Sequence, residues 1–241
     1  MRVAAWTMLA GALVLAACRT VPPPQVAPPP APPPPVTVVP EIIKHYRINA
    51  ERSQVLILVY RDGPMAKLGH NHVLSVHALA GDVTMPADTS QTSFRLQFPV
   101  AGITIDEPSL RAQQGEDFNA TVDAASIDGT RGHMLGEKLL DATRFPLIRL
   151  ASGPLRAEGE HWLVTLHITV RDHDCSLEVP VALVATADEL SASGEFDLTH
   201  AQLGLTPYSV GLGALRVAET IHIRYSLLAQ RSDSGSDSDH P

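Results

Sequence analysis

From about Ser53 onward the chain alternates apolar and polar residues with a period of two, as strands with one covered face do. Phe94, Leu96, Phe98 and Val100 alternate with Ser93, Arg95 and Gln97; Trp162, Val164, Leu166, Ile168 and Val170 alternate with Thr165, His167 and Thr169. Leu177, Val179, Val181 and Leu183 follow across the turn Asp172-His173-Asp174, then Leu190, Ala192, Phe196 and Leu198, and last Val217, Ile221, Ile223, Tyr225 and Leu227. Short turns between successive runs predict an antiparallel meander. Upstream, His45 to Asn49 and Ser53 to Tyr60 read as strands, the second apolar enough to be covered on both sides. Ala66 to Val83 reads as one strand whose inward parity holds Leu68, His70, His72, Leu74, Val76 and Ala78.

One segment breaks the pattern. Leu135, Leu139 and Ala142 recur at i, i+4 and i+7, which predicts a helix of about three turns opening at Arg131. Phe145-Pro146 stops it, because proline disfavours helix in the residue before it and donates no backbone hydrogen bond. Leu147 to Leu150 is then extended. Residues 101–130 predict a short helix or a long irregular excursion, and Gly204 to Gly213 a glycine-rich loop in which Gly211-Leu212-Gly213 marks a turn. About eight half-apolar strands must hide one face each, by closing into a barrel or by stacking as a sandwich. Aromatics are only 5% of residues, so an aliphatic, unfilled barrel lumen and a solidly packed sandwich both remain open on pattern alone.

The two ends differ in kind from this middle. Met1-Arg2 and the apolar run to Leu15 have the form of a secretory signal over residues 1–17, too short to span a bilayer. The run ends Leu15-Ala16-Ala17-Cys18, which resembles the lipobox of bacterial lipoproteins, where the cysteine takes acyl chains such as palmitate and becomes the new N-terminus. Arg19 rather than Asp follows, and by resemblance to enteric sorting rules this favours the outer membrane, on the periplasmic side. Residues 18–40 hold eleven prolines between Pro22 and Pro40; extended at about 3.1 Å per residue they reach roughly 60 Å, a spacer between anchor and domain. The domain is expected over 41–230. Residues 231–241, RSDSGSDSDHP, have no aliphatic side chain and predict a disordered tail.

Formal charge is -8 with no basic cluster, which argues against nucleic-acid partners. With Cys18 acylated, Cys175 has no partner for an intrachain disulfide. Gly69-His70-Asn71-His72 is the sharpest polar feature, since histidines at i and i+2 on a strand share a face and are spaced to share a metal ion. A third ligand is required, with His133 the first candidate and Cys175 the second by parity; the alternative is two buried, hydrogen-bonded imidazoles. No Gly-x-Ser-x-Gly, Cys-x-x-Cys or phosphate-binding glycine loop is present, so no enzymatic nucleophile is assigned.

The stretch RGHMLGEKLLDATRFPLIRLAS, Arg131 to Ser152, resembles the signature of the YceI-like, polyisoprenoid-binding family. The likeness extends more weakly from His45-Tyr46-Arg47-Ile48 to Ile221-His222-Ile223. Many members carry Arg-Asp where this chain has Arg131-Gly132, and a double aromatic where it has Leu139-Leu140. The resemblance implies an all-β, antiparallel, lipocalin-like barrel of about eight strands with one or two short helices. It also implies a bound isoprenoid or fatty-acid chain in an apolar lumen, with no chemistry performed on it. By parity the lumen candidates are Leu74, Val76, Phe94, Leu96, Phe98, Leu166, Ile168, Leu177, Val179, Phe196 and Ile223. The competing expectation is a metal- or haem-associated redox or hydrolytic protein built on His70, His72 and His133; the family resemblance carries no metal role for them.

Overall fold

The computed structural model describes residues 42–232. The leader, Cys18, the proline-rich stretch and residues 233–241 lie outside the described residues. Along the chain run β1 (Lys44–Ile48), β2 (Gln54–Asp62), β3 (His72–Val76), β4 (Ala80–Met85), β5 (Ser93–Pro99) and β6 (Ile103–Ile105). Helices α1 (Pro108–Arg111) and α2 (Ala124–Leu135) follow, then β7 (Leu147–Glu158), β8 (His161–Val170), β9 (His173–Ala185), β10 (Glu189–Thr199), β11 (Ser209–Val210) and β12 (Leu215–Arg231).

All pairings are antiparallel, and β12 closes the sheet by pairing β10 on one edge and both β1 and β2 on the other. Three staves of the barrel are broken strands. β1 and β2 follow one another along β12; β3 and β4 pair β2 and β1 respectively; β6 and β5 pair β3 and β4. Taking each broken pair as one stave with β7, β8, β9, β10 and β12 gives the closed eight-strand, lipocalin-like barrel with two helices. The sandwich alternative is excluded by this closure.

The breaks have local causes. Asn49 caps a 3-10 turn between β1 and β2, its side chain accepting from Arg52 N at 3.0 Å. Ala78 takes a left-handed φ of 56° between β3 and β4, and the inward parity changes there: Val76 is buried before it, Leu79 and Val83 after it. Ala66 to Val83 is therefore not one strand. Ala66–Leu68 is a 3-10 turn that leaves Leu68 exposed, and the alternation that placed Leu68 and Ala78 on the inner face is broken at both ends.

The helix lies seven residues before its expected start. Asp123 accepts from Ser126 N at 2.9 Å and caps α2, and Gly136, extended at ψ 164°, ends it. Leu139 and Ala142 belong instead to a run of turns held by Leu140 N to Met134 O and Ala142 N to Leu135 O. All three residues of the expected helical face still pack on the core, so the apolar spacing reported burial and misreported conformation. Within α2, Gly129 and Gly132 dilute any periodic signal. Residues 101–130 also contain β6, which was not anticipated.

Burial divides between two faces. Leu56, Leu58 and Val73 point outward from β2 and β3, and Phe118 and Leu110 of the 106–123 excursion cover them, so β2 is buried on both sides as its sequence required. Ile57 and Val59 point inward. At the far end of the barrel β12 continues to Arg231, which pairs with Tyr46, and Ser232 N donates to His45 O; the strand consumes the first residue of the expected tail.

Candidate ligand-binding cavity

Inside the barrel lies a cavity of about 210 Å³ that adjoins a second space of about 430 Å³; Ile57, Ile148, Val170, Leu198, Leu203 and Ile223 line both. Of the deep lining only Thr92 and Tyr225 carry a polar side-chain atom. Thr92 Oγ1 is buried without a partner, while the Tyr225 hydroxyl donates to Pro180 O at 2.7 Å. That bond meets a carbonyl beyond the short β9–β10 ladder, which runs only from Leu190↔Ala185 to Ser193↔Ala182. Burial pushes the Tyr225 phenol pKa far up, so it remains a neutral donor.

The outer space is a mouth, and its walls change character. α2 lies beside β6, fixed by Arg131, whose Nη1 donates to Ile103 O at 2.6 Å and Nη2 to Ala101 O at 2.7 Å. It brings Ser126, Thr130 and His133 to the mouth, opposite Tyr60, Arg61, His70 and His72. The lining includes four histidines and two arginines and no carboxylate.

His72 is held from behind. Its Nδ1 donates to Asp106 Oδ2 at 2.7 Å, leaving Nε2 on the cavity side, 3.5 Å from Thr130 Oγ1. Asp106 Oδ1 accepts from Val73 N at 2.9 Å and from Arg111 Nη1 at 2.7 Å. Burial raises the Asp106 pKa, yet the His72 and Val73 hydrogen bonds and the His72 and Arg111 charges outweigh it and hold the carboxyl below its ordinary value. One buried carboxylate thus ties β3 to the excursion that covers its outer face.

The sequence candidates distribute as follows. Phe94, Leu96, Phe98, Leu166, Ile168, Val179, Phe196 and Ile223 line the deep cavity, and Leu74 joins Ile223 at the mouth. Val76 is buried in the wall and Leu177 half-buried against the core; neither lines the cavity. His70, His72 and His133 all reach the mouth, but no group of three or more His, Cys, Asp or Glu capable of holding a metal ion occurs among the described residues. His72 bonds Asp106 through Nδ1 and keeps Nε2 toward the cavity, His70 stands edge-on to it with ring centroids 6.4 Å apart, and His133 stacks on Tyr208 at 4.1 Å. Cys175, paired opposite Ile168 on β9, is half-buried, and burial pushes its thiol pKa up. Asp106, Arg111 and Tyr208 were missed; an Asp-Glu-Pro step carries no periodic signal, and only the fold brings 106 beside 72.

A YceI-like domain model matches residues 46–229. The chain belongs to the YceI-like family. Its barrel is accordingly that of a ligand-binding protein. Among solved structures, BcnA of Burkholderia cenocepacia is similar in fold at 16% identity and a TM-score of 0.55, covering 75% of this chain and 98% of its own. The YCEI protein of Campylobacter jejuni matches at 8% identity and a TM-score of 0.48, over 66% and 85% of the two chains. No curated protein matches the YceI-like chain significantly.

Proposed function

We propose that this YceI-like barrel carries a long isoprenoid or fatty-acyl chain in its lumen, polar end toward the histidine-lined mouth, and performs no chemistry on it. The observation that carries this reading is the apolar cavity whose deep wall offers a ligand only a threonine hydroxyl and an already-bonded phenol. Burying about ten methylenes there gains on the order of 8 kcal/mol of transfer free energy, before the losses of chain and translational freedom. We further propose a periplasmic lipoprotein, anchored through acylated Cys18 to the outer membrane, on the strength of Leu15-Ala16-Ala17-Cys18 and Arg19.

Organic extraction of the purified protein followed by mass spectrometry tests the ligand. A chain of isoprenoid or acyl mass is expected. Leu166→Asp, which puts a charge on the deep wall, and Ala192→Phe, which fills the same space without one, should each empty it. Circular dichroism establishes that the barrel is intact. Wild-type ligand levels on both folded variants would refute a luminal site. Metabolic labelling with palmitate tests the anchor: label is expected on the wild-type chain and absent from Cys18→Ser, and label on the variant would exclude Cys18.

A further inference from the structure

Five of the eight exposed large apolar residues of the described chain lie on two loops at the cavity mouth: Met65, Leu68, Tyr208, Val210 and Leu212. The loops are joined. Met65 N donates to Ala214 O at 2.8 Å, the Leu215 side chain fills the space beside Gly69, and Arg216 pairs with Asp62 at 2.6 Å. The second loop is a small hairpin, β11 on the start of β12. At its tip Leu212 has a φ of 55° between Gly211 at 60° and Gly213 at 89°. Leucine disfavours that left-handed conformation, and the result is a side chain 110% exposed. A turn that served only to reverse the chain has no use for a leucine there; a polar residue or glycine fits it better.

Charge on these two loops runs against the rest of the molecule. Residues 61–69 and 204–216 contain Arg61, Lys67 and Arg216, against Asp62 alone, which Arg216 neutralises, in a chain of net charge -8. The apolar tips are also continuous with the cavity: Tyr208 stacks on His133 of α2, and Tyr208, Leu215 and Gly69 line the mouth.

We propose that this rim docks on the surface of an anionic lipid bilayer, with Leu68 and Leu212 seated among the acyl chains and Arg61 and Lys67 against the headgroups. The mouth then opens at the depth from which an apolar chain is withdrawn or delivered, without crossing water. Apolar tips supply burial and basic residues supply attraction to acidic headgroups, the combination that interfacial binding requires. The inference rests on the reading of the cavity as a lipid carrier.

Two measurements on the full chain test it. Tryptophan placed by Leu212→Trp, in chains carrying Cys18→Ser so that no acyl anchor contributes, should be quenched by phosphatidylglycerol vesicles with brominated acyl chains. Val184→Trp, also at an exposed position but at the opposite end of the barrel, should not be, and the quenching at 212 should vanish in purely zwitterionic vesicles. Separately, Leu68→Asp with Leu212→Asp should slow uptake of a fluorescent polyprenyl probe from the anionic vesicles by roughly tenfold or more, the scale of burying one leucine. Binding of the probe delivered from ethanol should be unchanged. Equal quenching at 184 and 212, none at either, or normal vesicle uptake by the double variant overturns the docking surface while leaving the carrier reading intact; a rim that captures protein and no vesicles does the same. A chain that binds the probe by neither route sinks both.

Discussion

Asp106 holds His72 of the mouth and Arg111 of the outer cover together, and removing it has a calculable cost. Its side chain is 1% exposed and that of its partner Arg111 8% exposed. Asp106→Ala leaves the guanidinium buried without a counter-charge, with Nη1 still on Asn71 O and Nε on Ala120 O. It also strands the Val73 N–H. Breaking a buried ion pair from one side costs about 3–5 kcal/mol, and for a domain of this size each kcal/mol lowers Tm by about 2–4 °C. The expected fall is therefore roughly 6–20 °C by calorimetry, with a matching loss in urea unfolding. Arg111→Met should cost less on the Asp106→Ala background than alone, because the charge it removes is by then unpaired. The pH dependence follows from the depressed Asp106 pKa. The contribution is present above the unfolded-state value near 3.8 and is lost as pH falls through the lower folded value. Wild type should lose stability across that acid window more steeply than Asp106→Ala. A loss under about 1 kcal/mol, or parallel acid profiles, would refute the account of Asp106 as the tie between β3 and its outer cover.

Gly81→Ala should prevent the barrel from closing normally. A methyl there lies 2.1 Å from Arg95 O and 2.8 Å from Leu96 Cα, on a backbone at φ 150°, and β4 and β5 must separate to admit it; soluble expression and circular dichroism at wild-type levels would contradict this. Cys175 should alkylate slowly with iodoacetamide at pH 8, since burial raises its thiol pKa, and should react at the rate of a free thiol only after denaturation; fast labelling of the folded chain would show the site to be open.

Much of the barrel is legible along the chain because alternation is a local property. Each strand of the meander from Trp162 to Leu198, and Phe94 to Phe98 before it, carries its own inward parity, and eight of the eleven lumen candidates reach the deep cavity on that basis alone. Alternation fails where the backbone stops being regular. Ala78 inverts the parity through a single left-handed residue, and α2 forms over a glycine-diluted stretch because Asp123 caps it and Arg131 fixes it to the edge of β6, neither of which leaves a periodic trace. The histidines reached the mouth as read from His70 and His72, yet what they do there was decided by Asp106, thirty-four residues further on from His72, and by Tyr208, which takes the ring of His133. Whether the inward faces fill the barrel or leave it hollow depends on how many staves close it and how their side chains sum across strands distant in sequence. That sum belongs to the tertiary structure, as does the placing of Leu68 and Leu212 on one rim: two ordinary leucines in the sequence become neighbours of an open lumen only when β2 and β12 pair.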